Sequence, residues 1–157
     1  MKKEDQRINQ MLEDVKEFDE AGFEKRVRAI LGQGKSLGVG KGTLLKYRKY
    51  LKAHLTLPCI LTGIEDFRWE EMYVFGYGDQ EEYKELKKSN ASYTDQFEFI
   101  EFTDEFGGFN NGWMVKARRI SDRKQFLLPL SELKAVDKKS ANYQLLDDYA
   151  VWIVNYS

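Results

Sequence analysis

Six short segments with strand-like patterns constrain the fold more than any other feature of the chain. Most are rich in β-branched, apolar or aromatic residues, and turn-forming residues lie between them. They cover residues 58–64, 72–77, 97–102, 113–120, 125–130 and 133–136. Helices do not alternate regularly with these segments, so a parallel doubly wound sheet is not expected. The pattern predicts an α+β domain with a small barrel or a strongly bent antiparallel sheet.

The N-terminal part is predicted to be a helical arm followed by a linker. Apolar residues recur with helical spacing in residues 4–19, and the pattern returns in a second helix that ends at Gly32. Residues 32–42 contain five glycines and are predicted to be flexible. The predicted division is therefore an arm and Gly-rich linker at residues 1–42 and a single α+β domain at residues 43–157.

The glycine-rich segment has only part of a phosphate-binding loop. A P-loop needs Gly, then four residues, then Gly-Lys-Ser/Thr, and it follows a strand. Gly34, Lys35 and Ser36 supply the end of the motif, but Ala29 stands at its first position and a predicted helix precedes it. A flexible linker is the better interpretation.

Three further helices are predicted within the domain. The first begins with Thr43 as its N-cap, and its apolar residues follow helical spacing. Residues 79–88 form a short charged helix between strands, with Asp79 as its N-cap. Residues 140–155 close the chain with a helix that is rich in apolar and aromatic residues.

Charge is sorted along the chain, although the net charge is only −1. Residues 1–56 carry a formal charge of +5, residues 57–112 carry −9 and residues 113–157 carry +3. The balanced total gives no general attraction to nucleic acid or to membranes. Residues 57–112, here called the acidic block, are the part of the chain most able to attract cations.

One cysteine and one histidine limit the possible chemistry. Because Cys59 is the single cysteine, an intramolecular disulfide and a Cys-based zinc site are excluded. Because His54 is the single histidine, the usual multi-His metal sites are excluded as well. Cys59 is predicted to be a small core residue, and His54 a partly buried structural residue. A serine or cysteine nucleophile would have to share the single histidine, so no catalytic residue and no enzyme activity are predicted. A glycosidase-like pair of carboxylates stays open as an alternative.

The N-terminal residues contain no apolar leader, and no apolar run approaches the length of a membrane span. We therefore expect a soluble cytoplasmic protein.

Two acidic clusters in the acidic block are candidates for a hard-cation site. Calcium takes about six to eight oxygen ligands from carboxylates, carbonyls and water. Residues 104–112 lack the acids that an EF-hand loop requires, so that motif is excluded. A solvated acidic face without a ligand remains the alternative. The predicted metal ligands are the carboxylates of Glu65, Asp66, Glu70, Glu71, Asp104 and Glu105.

Three stretches of the chain resemble the small bacterial calcium-binding proteins of the cyanobacterial CcbP type. They are LTLPCILTGIEDFRWEE at residues 55–71, MVKARRISDRKQFLLPLSELKAVDKKS at residues 114–140 and LLDDYAVWIVNY at residues 145–156. The shared order is a helix, an LxLPC strand, an acidic segment, a hairpin that ends in LPLSEL, and an aromatic C-terminal helix with Trp152. The resemblance implies a compact SH3-like β-barrel and calcium binding through negative surface charge, as a buffer or sensor.

Two functions follow from these observations. The first is a small calcium-binding protein that uses surface carboxylates of the acidic block, with calcium as its only bound ion or cofactor. The second is a non-catalytic protein-interaction module, in which the basic N-terminal segment and the acidic block contact a partner or a second copy. Neither a membrane nor a nucleic acid is an expected partner.

Overall fold

A computed structural model describes residues 18–108 and 110–157. The helix predicted at residues 4–19 lies almost entirely outside the described residues. The helices are α1 (Glu20–Leu31), α2 (Lys41–His54), α3 (Glu71–Val74), α4 (Gln80–Ser89) and α5 (Ala141–Tyr156). The strands are β1 (Ile60–Gly63), β2 (Gln96–Phe106), β3 (Trp113–Arg119), β4 (Gln125–Pro129) and β5 (Leu133–Ala135). Short 3₁₀ turns cover Arg68–Glu70 and Leu130–Glu132.

The five strands form one antiparallel sheet in the order β4-β3-β2-β1-β5. Register shifts interrupt the pairing of β2 with β3 between Phe99 and Glu101 and again between Phe102 and Phe106. Irregularities of this kind bend a strand and increase its twist. The predicted α+β class is confirmed, with helices at both ends of an antiparallel sheet. The sheet is not closed into a barrel, since β4 and β5 stand at opposite edges.

Helices α1, α2 and α5 share one hydrophobic core with the sheet. Trp152 on α5 is completely buried, stacks on Tyr47 of α2 with ring centroids 4.7 Å apart, and donates its indole N–H to the Leu37 carbonyl at 2.6 Å. Trp113 on β3 likewise donates its indole N–H to the Leu44 carbonyl at 2.7 Å. Buried rings whose polar atoms find partners fix how these helices cross the sheet. The domain boundary at residue 42 stays a prediction, although α1 contributes to this same core.

Of the two predicted N-caps, Asp79 is confirmed and Thr43 is wrong. Asp79 and Ser140 cap α4 and α5, because their side chains accept hydrogen bonds from Glu81 N–H and Asn142 N–H. Thr43 is not the N-cap of α2, because the helix begins one turn earlier at Lys41. Its hydroxyl instead accepts from Gly40 N–H at 2.9 Å.

The strand predicted at residues 72–77 is wrong. The chain forms α3 and a turn there, because Tyr73 is pulled inward against Tyr83, with nearly parallel rings 5.0 Å apart. Gly76 then adopts a φ of +86°, which reverses the chain after the helix. Among the described residues, no helix is long and apolar enough to cross a membrane.

Candidate functional site

An open cleft of about 500 Å³ collects side chains from four separate parts of the chain. Its walls come from the segment after β1, the β2–β3 turn, the 3₁₀ turn before β5, and one face of α5. Backbone pairing holds these parts together, since Ile64 N–H donates to the Glu132 carbonyl at 2.9 Å. The Ser131 hydroxyl donates to the Asn111 carbonyl at 2.9 Å, which ties the β2–β3 turn to the same wall.

The cleft is strongly acidic. Five carboxylates line it against a single guanidinium, that of Arg68, so its formal charge is −4. None of the five has an ion-pair partner in the part of the chain that the structure describes. The carboxylates belong to Glu65, Asp66, Glu71, Glu132 and Asp147.

The surroundings of two of these carboxylates disfavour the ionised form, so their pKa values are raised. Burial raises the pKa of Glu132, and the charge of nearby Glu65 raises it further. Burial also raises the pKa of Asp147, Asp148 adds to the shift, and Arg26 opposes it. A cation in the cleft would favour the ionised form of both groups.

Three of the six predicted ligands, Glu65, Asp66 and Glu71, lie together in this cleft. The acidic segment follows β1 in the sequence, so these three carboxylates lie near the end of that strand. Glu132 and Asp147 were not predicted, although they belong to the LPLSEL and LLDDY stretches. The available signal was a carboxylate within an otherwise buried segment, because such a group is costly unless it has a role.

Glu70 points away from the cleft and is completely buried. Its Oε1 accepts from the Tyr83 hydroxyl at 2.6 Å and the Ser92 hydroxyl at 2.7 Å. Its Oε2 accepts from Tyr93 N–H at 2.9 Å and from Phe67 N–H at 3.4 Å. Protein donors therefore occupy both oxygens of this predicted ligand.

The other two predicted ligands lie near the end of β2, outside the cleft. Asp104 is almost fully exposed and forms an ion pair with Arg48 at 3.1 Å. Glu105 is also exposed. His54 is exposed, not partly buried as predicted, and it stacks on Tyr50 with ring centroids 3.9 Å apart. Cys59 is buried, as predicted.

The donor chemistry of the cleft suits a hydrated hard cation. Within residues 18–108 and 110–157, no group of three Asp, Glu, His or Cys side chains is close enough to hold a metal directly. The lining adds the amides of Asn110, Asn111 and Asn155 and the hydroxyl of Ser131, and it contains no histidine or cysteine. Oxygen groups spread over a cleft can bind an ion that keeps part of its water shell.

Comparison with known proteins identifies one solved structure with a similar fold. No protein-family model matches the chain, and no curated protein matches it significantly. Among solved structures, the crystal structure of Anabaena CcbP aligns with 87% of this chain and 92% of that chain, at a TM-score of 0.55 and 13% sequence identity. At this identity the likeness concerns the fold alone, and this chain has a CcbP-like fold.

Proposed function

We propose that this chain is a small, non-catalytic calcium-binding protein and that the acidic cleft is its site. The observation that carries the proposal is the convergence of five carboxylates without ion-pair partners on one cleft. Fixed carboxylates that lack a counterion raise the local concentration of cations. The CcbP-type resemblance of the sequence and the likeness to the Anabaena CcbP fold support the same proposal.

Calcium suits this cleft better than magnesium does. Calcium accepts flexible geometries and ligands at about 2.3–2.6 Å, whereas magnesium demands a nearly ideal octahedron at about 2.0–2.1 Å. Glu65, Asp66 and Glu71 follow β1, whereas Glu132 precedes β5 and Asp147 lies on α5, so their oxygens do not offer a small rigid cage. Carboxylates, amide oxygens and water together can supply the larger and looser shell of calcium.

Calcium titration by calorimetry tests the proposal. We expect saturable heat with calcium, a much weaker response with magnesium, and a higher Tm in calcium than in EDTA. Mass action gives about 2.7 kcal/mol of added stability when free calcium is about 100 times the Kd. Absence of heat and of a Tm shift at millimolar calcium would sink the proposal.

A matched pair of variants locates the site. Asp66→Asn/Glu71→Gln/Glu132→Gln removes three carboxylates from the cleft and should weaken calcium binding at least tenfold. The control removes three exposed carboxylates near the end of β2, through Glu101→Gln/Asp104→Asn/Glu105→Gln. Both variants change the net charge equally. Equal weakening in the two would mean that calcium responds to total charge and not to the cleft.

A pH dependence follows from the raised pKa values of Glu132 and Asp147. An acid whose pKa is raised by folding favours the folded state at low pH, and this contribution is lost as the pH rises through the folded pKa. In EDTA at pH 7, Glu132→Gln/Asp147→Asn should therefore raise the Tm. The gain should vanish as the pH falls below the ordinary values of 4.5 for Glu132 and 3.8 for Asp147.

Thermal unfolding by circular dichroism across this pH range checks the prediction. Glu81→Gln/Glu85→Gln serves as the control, because these exposed acids pair with Lys84 and Lys88 on α4. A lower Tm for the cleft variant at pH 7 would contradict the expected cost of burying these two charges.

A further inference from the structure

A second, smaller pocket lies between the first half of α2, the end of β2 and the start of β3. Its volume is about 230 Å³, and it shares no lining residue with the acidic cleft. An apolar cavity of about 150 Å³ holds a benzene molecule, so this pocket has room for one ring with a short substituent. Its walls are formed by Leu44, Leu45, Phe106 and Trp113, together with Lys41, Arg48 and Asp104.

The indole of Trp113 is a fixed wall of this pocket. Its ring N–H donates to the Leu44 carbonyl at 2.7 Å, and the side chain is only 5% exposed. The guanidinium of Arg48 lies over the same ring, 4.0 Å from its centroid. Because the indole and the guanidinium hold each other in place, little conformational freedom is lost when a ligand binds beside them.

Arg48 uses only one nitrogen of its guanidinium for hydrogen bonds within the protein. This nitrogen, Nη1, donates to the Thr103 carbonyl at 2.8 Å and to Asp104 at 3.1 Å. Among the described residues, Nε and Nη2 have no hydrogen-bond partner. They also reach solvent, because the Tyr47 hydroxyl is the one side-chain polar atom in this part of the chain that is both buried and unpartnered. Nε and Nη2 together form an edge that can bind a carboxylate through two parallel hydrogen bonds.

The charges that line the pocket favour an anion. Lys41 and Arg48 stand against one acid, Asp104, so the formal charge is +1. The Arg48 side chain is 16% exposed, whereas that of Asp104 is 99% exposed. Solvent and salt screen an exposed charge more than a partly buried one, so the positive charge of Arg48 dominates inside the pocket.

We propose that this pocket binds a small aromatic carboxylate of about the size of phenylacetate. The ring of the ligand lies between Trp113 and Leu45, and its carboxylate accepts hydrogen bonds from Nε and Nη2 of Arg48. Apolar walls with a few convergent polar groups are the usual form of a small-molecule site. This site does not depend on calcium and lies apart from the acidic cleft.

NMR titration of the full chain with phenylacetate tests the proposal. We expect saturable shifts of the Trp113 indole N–H and of the Leu44 and Leu45 amides. The expected Kd is about 1 mM, which suits a ligand of about ten heavy atoms. Measurements in EDTA separate this result from the calcium proposal. Absence of saturable shifts at phenylacetate concentrations well above this Kd would overturn the proposal.

Two relatives of the probe separate the contributions of its ring and its charge. Phenylacetamide keeps the ring but replaces the carboxylate with a neutral amide, and acetate keeps the carboxylate but lacks the ring. Each should bind about tenfold more weakly than phenylacetate or worse, because charge-assisted bidentate hydrogen bonds or apolar contacts are lost. Equal binding of either relative would overturn the proposal.

Three variants test the place of binding. Arg48→Lys keeps the charge but loses the planar edge, so it should weaken phenylacetate binding about tenfold or more. Asp104→Asn removes the competing acid at an exposed position and should tighten binding about threefold. Glu85→Gln is its matched control, because this exposed acid pairs with Lys88 on α4 and does not line the pocket.

Circular dichroism checks that the three variants stay folded. Unchanged binding in Arg48→Lys would overturn the proposal. Equal tightening in Asp104→Asn and Glu85→Gln would also overturn it, since phenylacetate would then respond to total charge and not to the pocket. The second comparison holds even if Arg48→Lys does not fold.

The C-terminus of another protein offers the same chemistry when its last residue is phenylalanine. An acetylated tripeptide with C-terminal phenylalanine is therefore titrated in parallel with phenylacetate. Weaker binding of the tripeptide would support a free small acid as the ligand. Binding that is tighter by about tenfold or more would replace the small acid with a protein C-terminus.

Discussion

Arg119→Met is expected to destabilise the protein by about 3–5 kcal/mol, the usual cost of removing one member of a buried charge cluster. Arg119 is only 3% exposed, and all three of its guanidinium nitrogens donate hydrogen bonds. Its acceptors are Asp95 and Asp122, with nitrogen–oxygen distances of 2.7–3.0 Å, and the carbonyls of Lys87, Lys88 and Asn90 at 2.8–3.0 Å. Methionine fills the space but removes all of these donors, and it leaves Asp95 and Asp122 without their buried countercharge.

The location of Arg119 explains why the effect should be large. The residue ends β3, and its carbonyl acceptors lie at the end of α4, so one side chain attaches this helix to the sheet. Urea unfolding followed by circular dichroism measures the cost. Arg118→Met is the control, because the adjacent half-buried side chain has no ion pair in the described part of the chain and should change stability by about 0.5 kcal/mol.

Acid titration gives a second readout for Arg119. Its hydrogen bond to Asp122 lowers the pKa of that carboxyl to about 2. A lowered pKa stabilises the fold above the ordinary value of 3.8, and this contribution disappears as the pH falls towards 2. The parent protein should therefore lose more stability than Arg119→Met over that interval. Equal losses, or a small cost in urea, would mean that the ion pairs hold α4 only weakly.

Short-range patterns predicted much of the fold. The β3–β4 hairpin was correctly predicted because its two strand patterns are separated by a few turn residues. Asp79 was correctly predicted as an N-cap because capping depends on neighbours in sequence. The strand prediction for residues 72–77 is wrong because their conformation depends on the packing of Tyr73 against Tyr83, a residue of α4. Packing against a residue outside the segment produces no recognisable hydrophobic periodicity within six residues.

The candidate site was predicted only in part, for a related reason. Charge sorting identified the acidic segment after β1, and Glu65, Asp66 and Glu71 do face one cleft. Their companions Glu132 and Asp147 are distant in sequence and reach the cleft through the pairing of β1 with β5 and the packing of α5. The direction in which a carboxylate points is equally invisible in sequence, as Glu70 illustrates.

Glu70→Ala and Glu71→Gln should give opposite results, although the residues are neighbours. Removing the Glu70 carboxylate takes the acceptor away from the Tyr83 hydroxyl and Tyr93 N–H, and it leaves the Ser92 hydroxyl with Thr94 as its remaining partner. Each unsatisfied buried group costs about 1–3 kcal/mol, so we expect a loss of about 3–5 kcal/mol in urea unfolding. Calcium affinity should stay unchanged in whatever fraction remains folded.

Glu71→Gln should leave urea stability within about 0.5 kcal/mol of the parent protein, because the Glu71 side chain is exposed. It should nevertheless weaken calcium binding, since this carboxylate lines the cleft. Glu70→Gln completes the comparison: it keeps one acceptor oxygen but turns an amide group towards buried donors, so its stability should fall between that of the parent and that of Glu70→Ala. If Glu70→Gln instead weakens calcium binding while stability is retained, Glu70 acts as a ligand, and the site must include a rearrangement that turns its carboxylate outward. Calorimetry and urea unfolding on the same four proteins therefore separate the carboxylate that builds the fold from the one that serves the cleft.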